Sequence, residues 1–198
     1  MVRLGVSVLV VVLAVGGCAK NPPAAPMAKP GATTQSAAAT STASVGPTAP
    51  TLVFTFDGAG PYRLGLKLSD LQAPGVLDEV HSGPETCGYT NAKGTGPYKD
   101  IGIAFRPDGT LYVVSSRSTT IPTESGARVG DTLAELQSIY GSTGEKLTRD
   151  DAVAYLVTTT SGHGIMFDFD PNKKVFSMTA SAEASRMKES FLEPIDDC

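Results

Sequence analysis

The sequence predicts an α+β domain made of two similar repeats, each a short helix packed on an antiparallel β-hairpin sheet. Three observations predict it. Apolar runs with β-character alternate with turn formers such as Pro107-Asp108-Gly109 and Pro171-Asn172. Leu133, Leu136 and Tyr140 recur at helical spacing behind a capping pair. Two segments match other segments 65 and 64 residues further on.

The first seventeen residues read as a secretory signal peptide. Arg3 supplies the positive start, and Leu4 to Val15 is an apolar run broken only by Gly5 and Ser7. Twelve helical residues cover about 18 Å, too short for a hydrocarbon core of about 30 Å. The run ends in Val15-Gly16-Gly17-Cys18. These four residues resemble the bacterial lipobox, departing from it at Gly16, where Ala, Ser or Thr is commoner. The resemblance implies cleavage before Cys18, a diacylglyceryl thioether on its sulfur, and attachment to the extracytoplasmic face of the cell membrane. Two or more acyl chains give the stable anchoring that a single chain does not.

Residues 19–50 contain ten Ala, six Pro and eight Ser or Thr, with no aromatic and no acidic residue. Such a stretch cannot bury enough apolar surface to offset chain entropy, so it reads as a disordered linker. It spans roughly 30 Å as a flexible coil and roughly 105 Å fully extended. Its work is spacing. Lys20 and Lys29 lie where anionic headgroups attract them weakly, and Ser/Thr beside Pro resembles O-glycosylated stalks.

Residues 51–198 form the globular part, long enough to bury about 68–70% of the unfolded surface. Leu52 to Phe56 is strand-like. Repeat one covers about 51–120 and repeat two about 121–198. Arg63-Leu64-Gly65 and Leu68, Asp70, Leu71, Gln72 line up with Arg128-Val129-Gly130 and Leu133, Glu135, Leu136, Gln137. Phe105 to Tyr112 lines up with Phe169 to Phe176. Thr132 with Glu135 forms a capping box, with Ser69 and Gln72 as its weaker counterpart. Gly141 stops the second helix. Strands are expected at Ile101–Phe105, Leu111–Val114, Ala152–Thr158, Ile165–Phe169 and Val175–Met178, giving one antiparallel sheet per repeat with helices on one face. This pattern resembles the tandem-repeat β-lactamase inhibitory protein and the small outer-membrane assembly lipoprotein fold. The resemblance implies a protein-binding module.

Three cysteines occur: Cys18, Cys87 and Cys198. With Cys18 on lipid, Cys87 and Cys198 remain for a disulfide in an oxidising compartment. It would close a loop of about 110 residues and contribute on the order of 4–5 kcal/mol by chain entropy.

Little else points to chemistry. A nucleophilic Cys87 would need a base, and His81 is nearest in sequence. His163 sits in the turn Ser161-Gly162-His163-Gly164. Asp168 and Asp170 alternate with Phe167 and Phe169, which on a strand places both carboxylates on one face. With His163 they form the one candidate metal set, and a solvated polar face explains them equally well. There is no nucleophile elbow, phosphate loop or Cys-x-x-Cys, so no catalytic residue and no cofactor is assigned. The formal net charge of −4, with no basic cluster beyond Lys173-Lys174, argues against nucleic acid. The expectation is a lipid-anchored extracytoplasmic lipoprotein: a non-catalytic binding or structural module with an envelope protein as partner. The alternatives are a binder of a small molecule or cell-wall fragment and, third, an envelope hydrolase.

Overall fold

The computed structural model describes residues 52–83 and 88–193. The segments expected as a signal peptide and a linker, together with Cys18, Cys87 and Cys198, lie outside these residues. The described chain is α+β and almost wholly antiparallel.

A small three-stranded sheet comes first: β1 (Phe54–Thr55), β2 (Gly58–Ala59) and β3 (Tyr62–Arg63). The segment expected as one strand from Leu52 is thus shortened, because Phe56 and Asp57 turn the chain straight back. The helix α1 (Leu68–Gln72) follows, then β4 (Leu77–Ser82), β5 (Thr90–Gly94), β6 (Ile101–Phe105) and β7 (Leu111–Ser116). The second half runs α2 (Leu133–Tyr140), β8 (Gly144–Arg149), β9 (Ala152–Thr158), β10 (Gly164–Phe169), β11 (Val175–Ser181) and α3 (Ala184–Leu192).

β4 to β11 form a single eight-stranded sheet in the order β4-β5-β6-β7-β11-β10-β9-β8. This corrects the expectation of one sheet per repeat. Two four-stranded meanders meet where β7 pairs with β11, from Met178 opposite Ser116 to Ser181 opposite Val113. Edge joining leaves two outer strands to solvent instead of four, and both outer strands are rich in polar and charged residues.

Alternation along the strands defines two faces. Ile101, Ile103, Phe105, Leu111, Val114, Tyr155, Val157, Ile165, Phe167 and Met178 belong to the main core, with Leu71 of α1 and Leu136 of α2 packed into it. Each large side chain buried there contributes about 1.5–3 kcal/mol over exposure. Core tyrosines keep their hydroxyls paired: Tyr62 donates to Val76 O at 2.6 Å, and Tyr155 donates to Gly141 O at 3.2 Å.

The opposite face of the second half carries Leu147, Ala154, Leu156 and Met166, and α3 covers it with Ala184 and Phe191. Helices therefore lie on both faces, which corrects the one-face expectation. The opposite face of the first half carries Asn91, Lys93, Gly102, Ala104, Val113 and Ser115. All but Val113 are polar or small and need little cover.

Helix starts are tied to the following hairpins. The Gly65 N–H donates to Leu111 O, and the Leu111 N–H to Leu66 O, both at 2.8 Å. The Gly130 N–H donates to Val175 O, and the Val175 N–H to Asp131 O, again at 2.8 Å. Gly65 and Gly130 hold φ of +90° and +101°, where a side chain is strained. The capping box at Thr132 and Glu135 is present, with the Thr132 N–H donating to Glu135 Oε2 at 2.6 Å. Its counterpart is not Ser69 with Gln72: the N-cap is Lys67, whose N–H donates to Asp70 Oδ2 at 3.1 Å. Lys67 has no acceptor, so only half of a box forms. Ser69 lies inside the helix.

Candidate functional site

One concave surface lies between α3 and the sheet face that α3 leaves partly bare. It is a groove of about 630 Å³. Arg186, Met187, Ser190 and Phe191 line one wall, at positions that share one side of a helix. Met166, Thr179 and Ser181 supply the floor from β10 and β11. Tyr89, just before β5, and Tyr112 on β7 form the far wall.

The far wall is preassembled. The rings of Tyr89 and Tyr112 have centroids 5.4 Å apart at 32°, and the Arg106 guanidinium lies 5.4 Å over Tyr112. Arg106 also forms an ion pair with Glu183, the residue before α3. That pair pushes the Glu183 carboxyl below the usual range and the Arg106 guanidinium above its own. Burial holds the Tyr112 hydroxyl above its ordinary value, so it stays protonated at physiological pH. At the other end Arg149 donates from Nη1 to Phe191 O at 2.7 Å, satisfying a carbonyl that the end of α3 leaves without a helical partner. Its guanidinium lies 5.5 Å over the Phe191 ring.

A second, smaller cleft of about 280 Å³ lies between the β1–β2 turn and the β9–β10 turn. There His163 Nδ1 meets Asp57 Oδ1 at 2.8 Å, across 106 residues of sequence. A carboxylate-oriented imidazole is an acid–base element. The hydroxyl beside it, Ser161 Oγ, is engaged with Thr159 Oγ1 at 2.8 Å. His163 is thus a turn residue held by a carboxylate from the start of the domain.

The candidate metal set does not assemble. Asp168 sits on the sheet face beside Ser177, five residues along β10 from His163 and so about 17 Å away. Burial raises its carboxyl above the ordinary value, against the opposing effects of the Ser177 hydrogen bond and Arg117. Asp170 instead caps the β10–β11 turn, accepting from the Lys174 N–H at 2.9 Å. Phe167 and Phe169 do share the core side. Among the described residues no three His, Cys, Asp or Glu side chains could together hold a metal ion. His81 lies exposed on the outer strand β4.

The groove residues escaped sequence reading because six separate strands or segments contribute them. One signal was available: Ala184, Met187 and Phe191 recur at i, i+3 and i+7, which marks α3.

No protein-family model matches this chain, and no curated protein matches it. Solved structures share partial likeness. The protein yfeY from Escherichia coli, described as uncharacterized, is 16% identical over 65% of this chain and 99% of that chain, with a TM-score of 0.45. An extracellular protein containing a SCP domain from Bacillus anthracis is 9% identical over 64% of this chain and 46% of that one, with a TM-score of 0.42. A DUF4309 family protein (YjgB) from Bacillus subtilis is 14% identical over 63% of this chain and 84% of that chain, with a TM-score of 0.38. This chain spans less than half the length of the Bacillus anthracis protein, and none of these likenesses assigns it an activity.

Proposed function

We propose that this protein is a membrane-anchored extracytoplasmic lipoprotein whose domain is a non-catalytic binding module of the cell envelope, and that a protein partner docks in the groove beside α3. One observation carries the docking reading. Two tyrosines, two methionines, a phenylalanine and two arginines from distant parts of the chain converge on one concave surface. Tyr, Met, Phe and Arg are the residues enriched at interface centres. The Val15-Gly16-Gly17-Cys18 pattern and the long polar linker support an anchored, outward-reaching module. The groove volume also falls within the range of small-molecule sites, about 300–1,000 Å³, so a cell-wall fragment is the second reading. Capture from detergent-solubilised envelopes tests the first. Wild-type protein should retain a partner that Tyr112→Ala loses, and equal retention by both would contradict docking in the groove.

The two halves also support a reading by internal duplication. Gly65 with Leu111 and Gly130 with Val175 make the same hydrogen bond at the sequence offsets of 65 and 64. The isolated bridge of Lys67 with Thr110 has its counterpart in Thr132 with Lys174. The register irregularity at Ala104/Phe105 has one at Asp168/Phe169. Under this reading α3 belongs to the second repeat alone, and the groove arises where the covered half meets the bare one.

A further inference from the structure

We infer that the partner segment taken by this groove is an acidic polypeptide stretch carrying aromatic or aliphatic anchors. The inference rests on the docking reading above and adds the chemistry of the occupant. The chain as a whole is anionic, with a formal net charge of −4. The groove reverses that sign. Arg149 and Arg186 line it, Arg106 stands behind Tyr112, and the single carboxylate at its wall, Glu183, is already paired with Arg106. Two of the three guanidiniums lie over aromatic rings, at 5.4 Å and 5.5 Å. Arg106 is already paired with Glu183 and Arg149 gives its Nη1 to Phe191 O, so the planar fork that suits the two oxygens of an incoming carboxylate is that of Arg186. Arg186 is exposed on α3, directly beside Met187. A carboxylate bound there would place a neighbouring side chain over Met187 and Met166, and methionine accommodates varied apolar shapes.

A glycan fits this lining less well. Sugar hydroxyls both donate and accept, and their recognition calls for carboxamide or carboxylate acceptors around an aromatic platform. The lining contains no Asn, Gln or Asp among the described residues, and its polar side chains beyond Glu183 are arginines and hydroxyls. Ser181 Oγ already accepts from the Glu183 N–H at 3.2 Å. The surplus is of donors, which favours an acceptor-rich, anionic chain.

The test is selection of random dodecapeptides on the full-length protein in detergent micelles, in parallel with its Arg186→Glu variant and an Asn172→Glu control at the far end of the sheet. The wild type should enrich peptides rich in Asp and Glu with Phe, Tyr, Leu or Met. Those peptides should bind Arg186→Glu about ten-fold more weakly or worse, the size of one lost charge-assisted hydrogen bond. The Asn172→Glu control should bind them as the wild type does, and all three proteins should melt at the same temperature. Enrichment of neutral or basic peptides, no enrichment, or acidic peptides indifferent to Arg186→Glu would each overturn the inference. So would Arg186-dependent binding of a soluble disaccharide-peptide wall fragment with no peptide selected. Loss of the captured partner by Tyr112→Ala alongside basic selected peptides would leave the docking reading standing and remove only this one.

Discussion

Arg106, in the turn after β6, forms an ion pair with Glu183 at the start of α3, 77 residues later in the chain. The contact binds the first meander to the helix that covers the second, and so sets the width of the groove at Tyr112. Both side chains are more than a third exposed, at 35% and 38%, so solvent screens the pair and its worth is at most about 1 kcal/mol.

A pH dependence follows from that pair. Arg106 holds the Glu183 carboxyl below its ordinary value. A depressed carboxyl contributes stability that is present above the unfolded value, about 4.3, and is lost as pH falls through the folded one. Glu183→Gln should therefore cost up to about 1 kcal/mol at pH 7 and less at pH 3. Urea unfolding at the two pH values checks this, and an equal cost at both would assign the effect to packing.

Gly65 and Gly130 hold positive φ with open space around the missing side chain. Replacement by Ala meets no clash and costs only backbone strain, about 1–3 kcal/mol at each position. Gly65→Ala and Gly130→Ala should destabilise to similar extents in urea melts, since each glycine makes the same bond to its hairpin. A large effect at one and none at the other would break the equivalence of the two halves.

The two helix starts should respond differently. Thr132→Ala removes the side-chain acceptor for the Glu135 N–H, which lies at 3.3 Å, and should cost about 1 kcal/mol. Ser69→Ala should be neutral or slightly stabilising, because Ser69 is exposed inside α1 and caps nothing. Thermal melts of the two variants separate these outcomes.

Two measurements address the cysteines. Cys18→Ala should abolish labelling by a fatty-acid probe, and label retained by the variant would remove the lipobox reading. A thiol count under denaturing conditions, on protein whose Cys18 is substituted, should find no free thiol before reduction and two after. Two thiols before reduction would show that Cys87 and Cys198 are not bridged.

What the sequence made legible divides along physical lines. Elements whose residues signal locally were readable: the apolar strands from Ile101, Ala152 and Val175, the Pro-Asp-Gly turn, the Thr132 box and the Gly141 stop. The outer strands β4 and β8 were not, because solvent on one edge and one face removes the apolar alternation that marks a strand. The register of the first cap was misread because Lys67 cannot present the acceptor by which N-caps are recognised. The edge-to-edge union of two meanders rests on β7 and β11 meeting across 62 or more residues, from Ser116 with Met178 to Val113 with Ser181, and no local pattern encodes that. The same holds for the groove and for Asp57 with His163, whose members are brought together only by the completed fold.

The central claim, that the groove beside α3 is a docking surface on the anchored protein, is tested most directly by photo-crosslinking in intact cells. The full chain would carry a photoreactive amino acid either at Ser190, which lines the groove, or at Asn172, in the β10–β11 turn. The account predicts a discrete higher-mass product from position 190 and none from position 172. No product from position 190, or the same products from both, would contradict it.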